Sequence, residues 1–154
     1  MSLDLRELYQ EMILDHNRSP RNFHTMLDAT AEANGFNQLC GDKLTIYVKV
    51  NEGIVTQVSF MGSGCAISKA SASLMTEVLQ GKTIEKAHHL FQQFHLMLTG
   101  DDEVMMDEKT KGSLDKLMAF AGVRAYPARV KCATLAWHAF EAALRHENNP
   151  VSTE

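Results

Sequence analysis

The chain has 154 residues, a formal net charge of −4 and 45% apolar residues, which favours one globular domain with its own core. No basic block supports nucleic-acid binding, and no stretch approaches the roughly 20 apolar residues of a membrane span. The N-terminus lacks the uninterrupted apolar segment of a signal peptide. We therefore expect a monomeric cytoplasmic protein without a nucleic-acid or membrane partner. Residues 1–147 are expected to form the domain and 148–154 a flexible tail.

The first part of the chain predicts one helix and one extended segment. Apolar side chains recur every three or four residues from Leu3 to about His16, which is the spacing of one helix face. Pro20 follows this helix and ends it, because proline disfavours the helical conformation in the residue before it. Residues 29–36 are then expected to form a weakly patterned strand.

A hairpin is predicted next. Residues 43–50 alternate strictly between apolar and polar side chains, which predicts a half-buried strand. The turn signal at 51–53 joins it to a second strand over 54–61. Glycine is conformationally free, so we expect the glycine-rich stretch 62–64 to end this strand with a flexible bend.

The second half of the chain predicts a run of helices. Residues 66–79 and 83–98 both show the helical apolar spacing, and Thr83 is a plausible cap for the second. A short helix is expected over 113–121, and an amphipathic one after Pro127. This order predicts an α+β fold. In it, a small antiparallel sheet of about three strands packs against an N-terminal helix and several C-terminal helices.

Three cysteines stand at junctions between these elements. Cys40 precedes the first hairpin strand, and Cys65 and Cys132 each lie near a helix start. An odd number of cysteines in a reducing compartment disfavours a disulfide framework. The positive end of a helix favours the thiolate at Cys65. The basic neighbours Lys131 and Arg129 act in the same direction at Cys132.

Asp42 is a candidate fourth ligand, because residues i and i+2 of an extended chain project to the same side, as Cys40 and Asp42 would. Three sulfurs and one oxygen suit a tetrahedral Zn²⁺, and thiolates also bind iron–sulfur clusters. The ligand types do not distinguish these two. Three unrelated buried cysteines are the alternative, since free cysteine is among the most buried residue types. If the junctions meet, the metal site lies at one end of the sheet.

The histidines raise the question of a second metal site. His88, His89 and His95 lie on one predicted helix, and His88 and His95 are seven residues apart on one face. We favour a solvated or packed helix face over a metal site at this position.

Four stretches resemble, in the same order, the NifU/IscU-like family of iron–sulfur cluster assembly proteins. They are Asp15-His16 with Pro20-Arg21-Asn22-Phe23, Cys40-Gly41-Asp42, Gly62-Ser63-Gly64-Cys65-Ala66-Ile67-Ser68 with Ala70-Ser71-Ala72-Ser73, and Arg129-Val130-Lys131-Cys132-Ala133-Thr134-Leu135-Ala136-Trp137. The resemblance covers nearly the whole chain and is greatest to the SufU branch. Lys131 stands where scaffold members carry histidine, and residues 99–121 correspond to a longer insertion. Gln38 departs from the family pattern, which has proline there.

The resemblance implies a zinc-dependent sulfurtransferase. Such a protein accepts persulfide sulfur from a PLP-dependent cysteine desulfurase of the SufS type and relays it to downstream iron–sulfur assembly proteins. The implied zinc ligands are Cys40, Asp42, Cys65 and Cys132. By position, Cys40 would be the sulfur acceptor and Arg129 a basic catalytic residue. The alternative is a scaffold on which an iron–sulfur cluster, instead of zinc, is bound and assembled. A structural zinc protein without sulfur chemistry is a third possibility.

Overall fold

The computed structural model describes residues 3–100, 108–146 and 151–152. In chain order the elements are α1 (Leu3–Arg18), β1 (Ala31–Asn37), β2 (Asp42–Asn51), β3 (Ile54–Ser63), α2 (Ala66–Leu79), α3 (Ile84–Thr99), α4 (Glu108–Leu114), a 3₁₀ helix (Asp115–Ala125), α5 (Pro127–Leu144) and β4 (Val151–Ser152). The predicted α+β class is confirmed. None of the described helices has the length and apolarity needed to cross a membrane.

The sheet has the strand order β3-β2-β1-β4. Strands β1, β2 and β3 pair antiparallel in succession, which confirms the predicted three-stranded sheet. The two-residue strand β4 adds to its edge and pairs parallel with Gly35 and Phe36 of β1. Val151 and Ser152, which form β4, belong to the segment predicted as a flexible tail, and the rest of that segment lies outside the described residues.

One face of the sheet is covered by helices. Leu44, Ile46 and Val48 of β2 alternate into the core with exposed fractions of 0–1%, as their spacing predicts. Helix α5 contacts β1 and β2 on this face, and α2 contacts β3. The largest fully buried side chains are Trp137, Phe60, Phe94, Phe120 and Phe140.

Ser71 joins α2 to α5. Its hydroxyl donates to the carbonyl oxygen of Ala133 over 2.5 Å and accepts from Nε1 of Trp137 over 3.2 Å. Both partners lie near the middle of α5, and Ser71 itself is fully buried. Buried hydrogen bonds are costly to break, because each freed group loses its partner without regaining water. The helices that carry Cys65 and Cys132 therefore hold a fixed relative position.

Ser73 joins α1 to α2. Its hydroxyl oxygen accepts from the backbone N–H of Arg21 over 2.8 Å. It also lies 2.7 Å from Nδ1 of buried His16. The other ring nitrogen of His16, Nε2, lies 3.5 Å from Glu77 Oε1. Burial lowers the pKa of His16, which favours the neutral imidazole.

The glycine-rich stretch after β3 is not the flexible bend that was predicted. The strand continues through Ser63, and Gly62 pairs with Leu44 of β2. The φ angle of Gly62 is +135°, and an added Cβ would lie 2.1 Å from the carbonyl oxygen of Lys43. Glycine is required here because the backbone of β2 passes too close for any side chain.

Residues 113–121 do not form the separate α-helix that their apolar spacing predicts. Helix α4 ends at Leu114, and the 3₁₀ helix begins at Asp115, whose φ of +46° breaks the α-helical path. Leu117 and Phe120 are nevertheless fully buried. The spacing thus identified the buried side chains but not the backbone conformation. Residues 101–107 of the predicted insertion lie outside the described residues.

Candidate metal centre

Three of the four predicted ligands meet at one end of the sheet. Cys40 lies on the loop between β1 and β2, Asp42 is the first residue of β2, and Cys132 lies on α5. Their two sulfurs and one carboxylate oxygen all lie within 4.8 Å of one another. The thiol of Cys132 is 2.9 Å from Cys40 Sγ. Residues 92 positions apart in the chain thus form one cluster, at the location predicted for the metal site.

Cys65, the fourth predicted ligand, lies beside Asp42 but outside this group of three. It caps α2, and its sulfur accepts the backbone N–H of Ser68 over 3.5 Å. Its own N–H donates to Asp42 Oδ1 over 2.8 Å, and its sulfur lies 4.0 Å from Asp42 Oδ2. The predicted position at a helix start is therefore correct for Cys65. The Asp42 carboxylate connects this helix start to the other two cysteines.

Cys132 does not lie at a helix start. Helix α5 begins at Pro127, so Cys132 is in its second turn, and it is fully buried. Burial, followed by hydrogen bonds to Cys40 and Asp42, raises the pKa of the Cys132 thiol. The predicted position at a helix start is therefore wrong for Cys132, and in the metal-free protein burial opposes the ionisation of its thiol. A cation bound to the cluster would favour the thiolate instead, because metal ligation requires deprotonated sulfur.

Cys40 lies on a short loop closed by the pairing of Asn37 with Asp42. It is partly exposed, whereas Cys132 is buried. Oδ1 of Asn37 accepts the backbone N–H of Cys40 over 3.4 Å. Gly41 has a φ of +73°, which lets the chain turn into β2. The Cys40 backbone is therefore held by one long hydrogen bond at this point.

Asn37 was not predicted as a site residue. It is fully buried, and its Nδ2 has no hydrogen-bond partner among the described residues. The available signal was its residue type, since asparagine side chains bind nearby backbone N–H groups in turns. Ser68 was also missed, and its buried hydroxyl likewise has no partner among the described residues. Each of these two residues lies three positions from a site cysteine.

Arg129, the basic residue that the resemblance implies as catalytic, lies one helical turn before Cys132 and is exposed. It lines a cavity of about 790 Å³ together with Tyr9 of α1, Ile67 of α2 and Tyr126. Ile67 is two residues beyond Cys65, and Arg129 is three residues before Cys132. The cavity is thus lined by residues that lie close in the chain to two of the cysteines.

The donor set of this cluster fits Zn²⁺. Zinc binds thiolate sulfur and carboxylate oxygen in tetrahedral sites, and the cluster provides two sulfurs, one carboxylate and an adjacent third sulfur. Thiolates also bind iron–sulfur clusters, so the same donors suit both groups. Within the part of the chain that the structure describes, this is the one group of three or more histidine, cysteine or carboxylate ligand atoms close enough to share a metal.

His88 and His95 lie on α3 as predicted but have different partners. Nδ1 of His88 lies 3.1 Å from both carboxylate oxygens of Glu141 on α5. The His95 ring instead packs against His138 of α5, with their centroids 5.7 Å apart. Burial, and then the charge of His95, lowers the pKa of His138. The two histidines of the predicted pair therefore face different residues of α5.

Gly64→Ala is expected to weaken metal binding more than it weakens the fold. An added Cβ would lie 2.6 Å from Asp42 Oδ1, so the carboxylate must move and lose its bond to the Cys65 N–H. Loss of such an orienting contact typically lowers metal affinity about 10–100-fold. Competition with a chromophoric chelator measures the zinc affinity, and thermal unfolding of the metal-free protein measures the fold.

Gly122→Ala is the matched control for that experiment, because a Cβ at Gly122 meets open space. We expect this control to keep the zinc affinity of the wild type. An unchanged affinity in Gly64→Ala would contradict the role assigned to the Asp42 carboxylate.

Most of the chain matches a known protein family. Residues 8–133 match the model of the NifU-like N-terminal domain. The chain belongs to this family. The membership predicted from the four motifs is therefore confirmed.

Relatives of this NifU-like protein carry two kinds of name. The iron–sulfur cluster assembly scaffold protein IscU of Thermotoga maritima is 38% identical over 143 residues, covering 93% of this chain and 96% of the relative. The zinc-dependent sulfurtransferase SufU of Bacillus subtilis is 38% identical over 148 residues, covering 94% of each. Overall identity to the two is the same. The choice between the two activities therefore depends on the chemistry of the site.

A solved structure supports the fold in the same way. The crystal structure of a protein from Fervidobacterium islandicum, named as an iron–sulfur cluster assembly scaffold protein for the SUF system (FiSufU), superposes with a TM-score of 0.80 at 32% identity, covering 90% of this chain and 98% of that one. The NifU-like fold of this protein is thus SufU-like over nearly its full length.

Proposed function

We propose that this NifU-like protein is a zinc-dependent sulfurtransferase of iron–sulfur cluster assembly. It accepts sulfur from the persulfide of a PLP-dependent cysteine desulfurase of the SufS type and passes it to assembly proteins. The observation that carries this proposal is the cluster of Cys40, Asp42 and Cys132, with ligand atoms within 4.8 Å of one another. The similarity to a SufU named as a zinc-dependent sulfurtransferase supports it.

The four ligands in this proposal are Cys40, Asp42, Cys65 and Cys132. Zinc, when bound there, would hold the thiols in their deprotonated form. Cys65 and Cys132 lie on helices that Ser71 joins through two buried hydrogen bonds. Cys40 lies on a partly exposed loop. It is therefore the thiolate best placed to leave the cluster and meet a partner.

The transfer step needs no added oxidant or reductant. The thiolate of Cys40 attacks the outer sulfur of the desulfurase persulfide. The bond between the two persulfide sulfurs breaks, and the desulfurase cysteine leaves as a thiolate. A new sulfur–sulfur bond forms at Cys40, so one persulfide replaces another. The positive charge of exposed Arg129, one turn before Cys132, reduces the repulsion between these anionic sulfurs.

A scaffold that assembles an iron–sulfur cluster is the second candidate. The equal identity to the IscU of Thermotoga maritima favours it. Lys131, in place of the histidine that the scaffold branch carries before the third cysteine, favours transfer. In the scaffold function the cluster is the product that the protein builds and hands on.

Purification of the protein without oxygen tests the proposal. We expect stoichiometric zinc and no absorbance in the visible range. Addition of the protein to a desulfurase of the SufS type should raise the rate of alanine release from cysteine several-fold, because the persulfide is removed after each turnover. A failure to stimulate any of several such desulfurases would overturn the transfer proposal. A brown chromophore that accompanies the purified protein would support the scaffold.

A further inference from the structure

A second pair of metal-ligating side chains lies where α3 packs against α5. The imidazoles of His95 and His138 have centroids 5.7 Å apart and ring planes at 82°. Both side chains are half-buried, and with Phe91, Gln92 and Leu96 they line a surface cavity of about 390 Å³. The pair is absent from the sequence prediction because its members lie on different helices. This contact between α3 and α5 is separate from the cysteine cluster.

The hydrogen bonds of Thr99 determine which nitrogen of His95 carries a lone pair. The Thr99 hydroxyl donates to the carbonyl oxygen of His95 over 2.7 Å, and it has only one hydrogen to donate. Its contact with Nδ1 of His95 at 3.3 Å therefore has Nδ1–H as the donor. Nε2 is left as the unprotonated nitrogen. Imidazoles that bind metals commonly have the other ring nitrogen held by a hydrogen bond in this way.

Phe91 orients both imidazoles. Its ring meets His95 edge-on at 5.8 Å between centroids and His138 edge-on at 5.1 Å. On its other side it stacks with Trp137 at 6.2 Å, and Trp137 is fully buried. Aromatic contacts of this kind have preferred geometries, so they restrict the ring positions. The two imidazoles are thus held close to each other before any ligand arrives.

The separation of the rings suits one shared cation. With metal–nitrogen bonds of about 2.1 Å, two imidazoles at a tetrahedral angle have centroids roughly 5 Å apart. The observed 5.7 Å is within a small side-chain rotation of that value. We propose that His95 and His138 form a second metal site, for a borderline divalent cation such as Zn²⁺, Ni²⁺ or Cu²⁺. Imidazole nitrogen is a preferred ligand of these ions.

Water completes the coordination in this proposal. Among the described residues, the cysteine cluster is the one group of at least three histidine, cysteine or carboxylate ligand atoms, so no third ligand of these types lies close to the histidine pair. His138 is six residues beyond Cys132, which corresponds to about 9 Å along the axis of α5. The pair therefore binds its ion independently of the cysteines. The proposal does not depend on the sulfur-transfer function.

Ni²⁺ titration of the full-length, zinc-loaded protein tests this site by calorimetry. We expect one binding event for Ni²⁺ although zinc already saturates the cysteine ligands. His95→Gln and His138→Gln should each lower its affinity at least about tenfold, because removal of one imidazole leaves a single protein ligand. His89→Gln is the matched control, since His89 is an exposed histidine on the same helix. It should bind Ni²⁺ as the wild type does.

Thr99→Val provides a second test that keeps both imidazoles. It removes the hydroxyl that accepts from Nδ1–H of His95, so we expect Ni²⁺ affinity to fall several-fold with the thermal stability unchanged. Because His95 is half-exposed on α3, its replacement by glutamine should leave the protein folded. His95→Gln therefore tests the site even if His138→Gln does not fold. Equal Ni²⁺ affinity in His95→Gln and His89→Gln, or no additional binding event in the wild type, would overturn the proposal.

Discussion

Cys40→Ser is expected to reduce sulfur acceptance to the background level while the domain stays folded. A serine hydroxyl is not ionised near neutral pH, so no nucleophile of comparable strength remains on the loop. Cys40 is partly exposed, and the core is built by other residues. Loss of stability should therefore be small, below about 1 kcal/mol for the metal-free protein. Alanine release by the desulfurase and mass spectrometry of the persulfide measure the effect.

Leu39→Ala serves as the control for this experiment. Leu39 precedes Cys40 on the same loop and is 75% exposed, so its replacement disturbs the loop surface without removing the thiol. It should retain most of the stimulation. If Cys40→Ser still carried a persulfide after incubation with the desulfurase, another cysteine would be the acceptor and the assignment would be wrong. If Cys40→Ser unfolded instead, the structural zinc interpretation would gain support.

Gly62→Ala has the largest expected effect on stability. Its Cβ would lie 2.1 Å from the carbonyl oxygen of Lys43 and 2.9 Å from Cα of Leu44, and both are backbone atoms of β2 that cannot move aside. The φ of +135° adds strain for any residue with a side chain. Overpacking and backbone strain each typically cost about 1–3 kcal/mol. We therefore expect a loss of about 3 kcal/mol or more.

Thermal and urea unfolding of zinc-loaded Gly62→Ala measure this loss. For a domain of this size, a melting temperature lower by about 2–4 °C for each kcal/mol is expected. Gly122→Ala is again the matched control, because its Cβ meets open space. A melting temperature of Gly62→Ala equal to that of the control would show that β2 and β3 can separate at this point without cost.

Local patterns predicted the elements that depend on near neighbours in the chain. The alternation in β2 identified its buried face, and Thr83 caps α3 by accepting the N–H of Lys86 over 3.0 Å. Both signals act within a few residues. Gly62 shows the limit of such reasoning, since a glycine in a flexible bend and one packed against the backbone of a paired strand look alike in sequence.

Features that depend on distant contacts were not predictable in the same way. Cys132 was predicted to lie at a helix start with basic neighbours that favour its thiolate, yet it is fully buried in the second turn of α5, and burial raises its pKa. His138 escaped notice because its partner His95 lies on another helix. The contact between Cys40 and Cys132 was expected only because the chain carries the family motifs in order. No local pattern in the sequence predicts it. The structure supplies the contact that brings them together.

The contact between Asp42 and the start of α2 bears on which cations the cluster accepts. Oδ1 of Asp42 accepts the N–H of Cys65 at 2.8 Å, which favours Oδ2 as the oxygen that binds a metal. The carboxylate is therefore oriented to offer one donor atom. Calcium requires six to eight oxygens and often takes both from a carboxylate. A monodentate carboxylate among thiolates thus discriminates against Ca²⁺ through denticity, independently of the affinity of sulfur for softer ions.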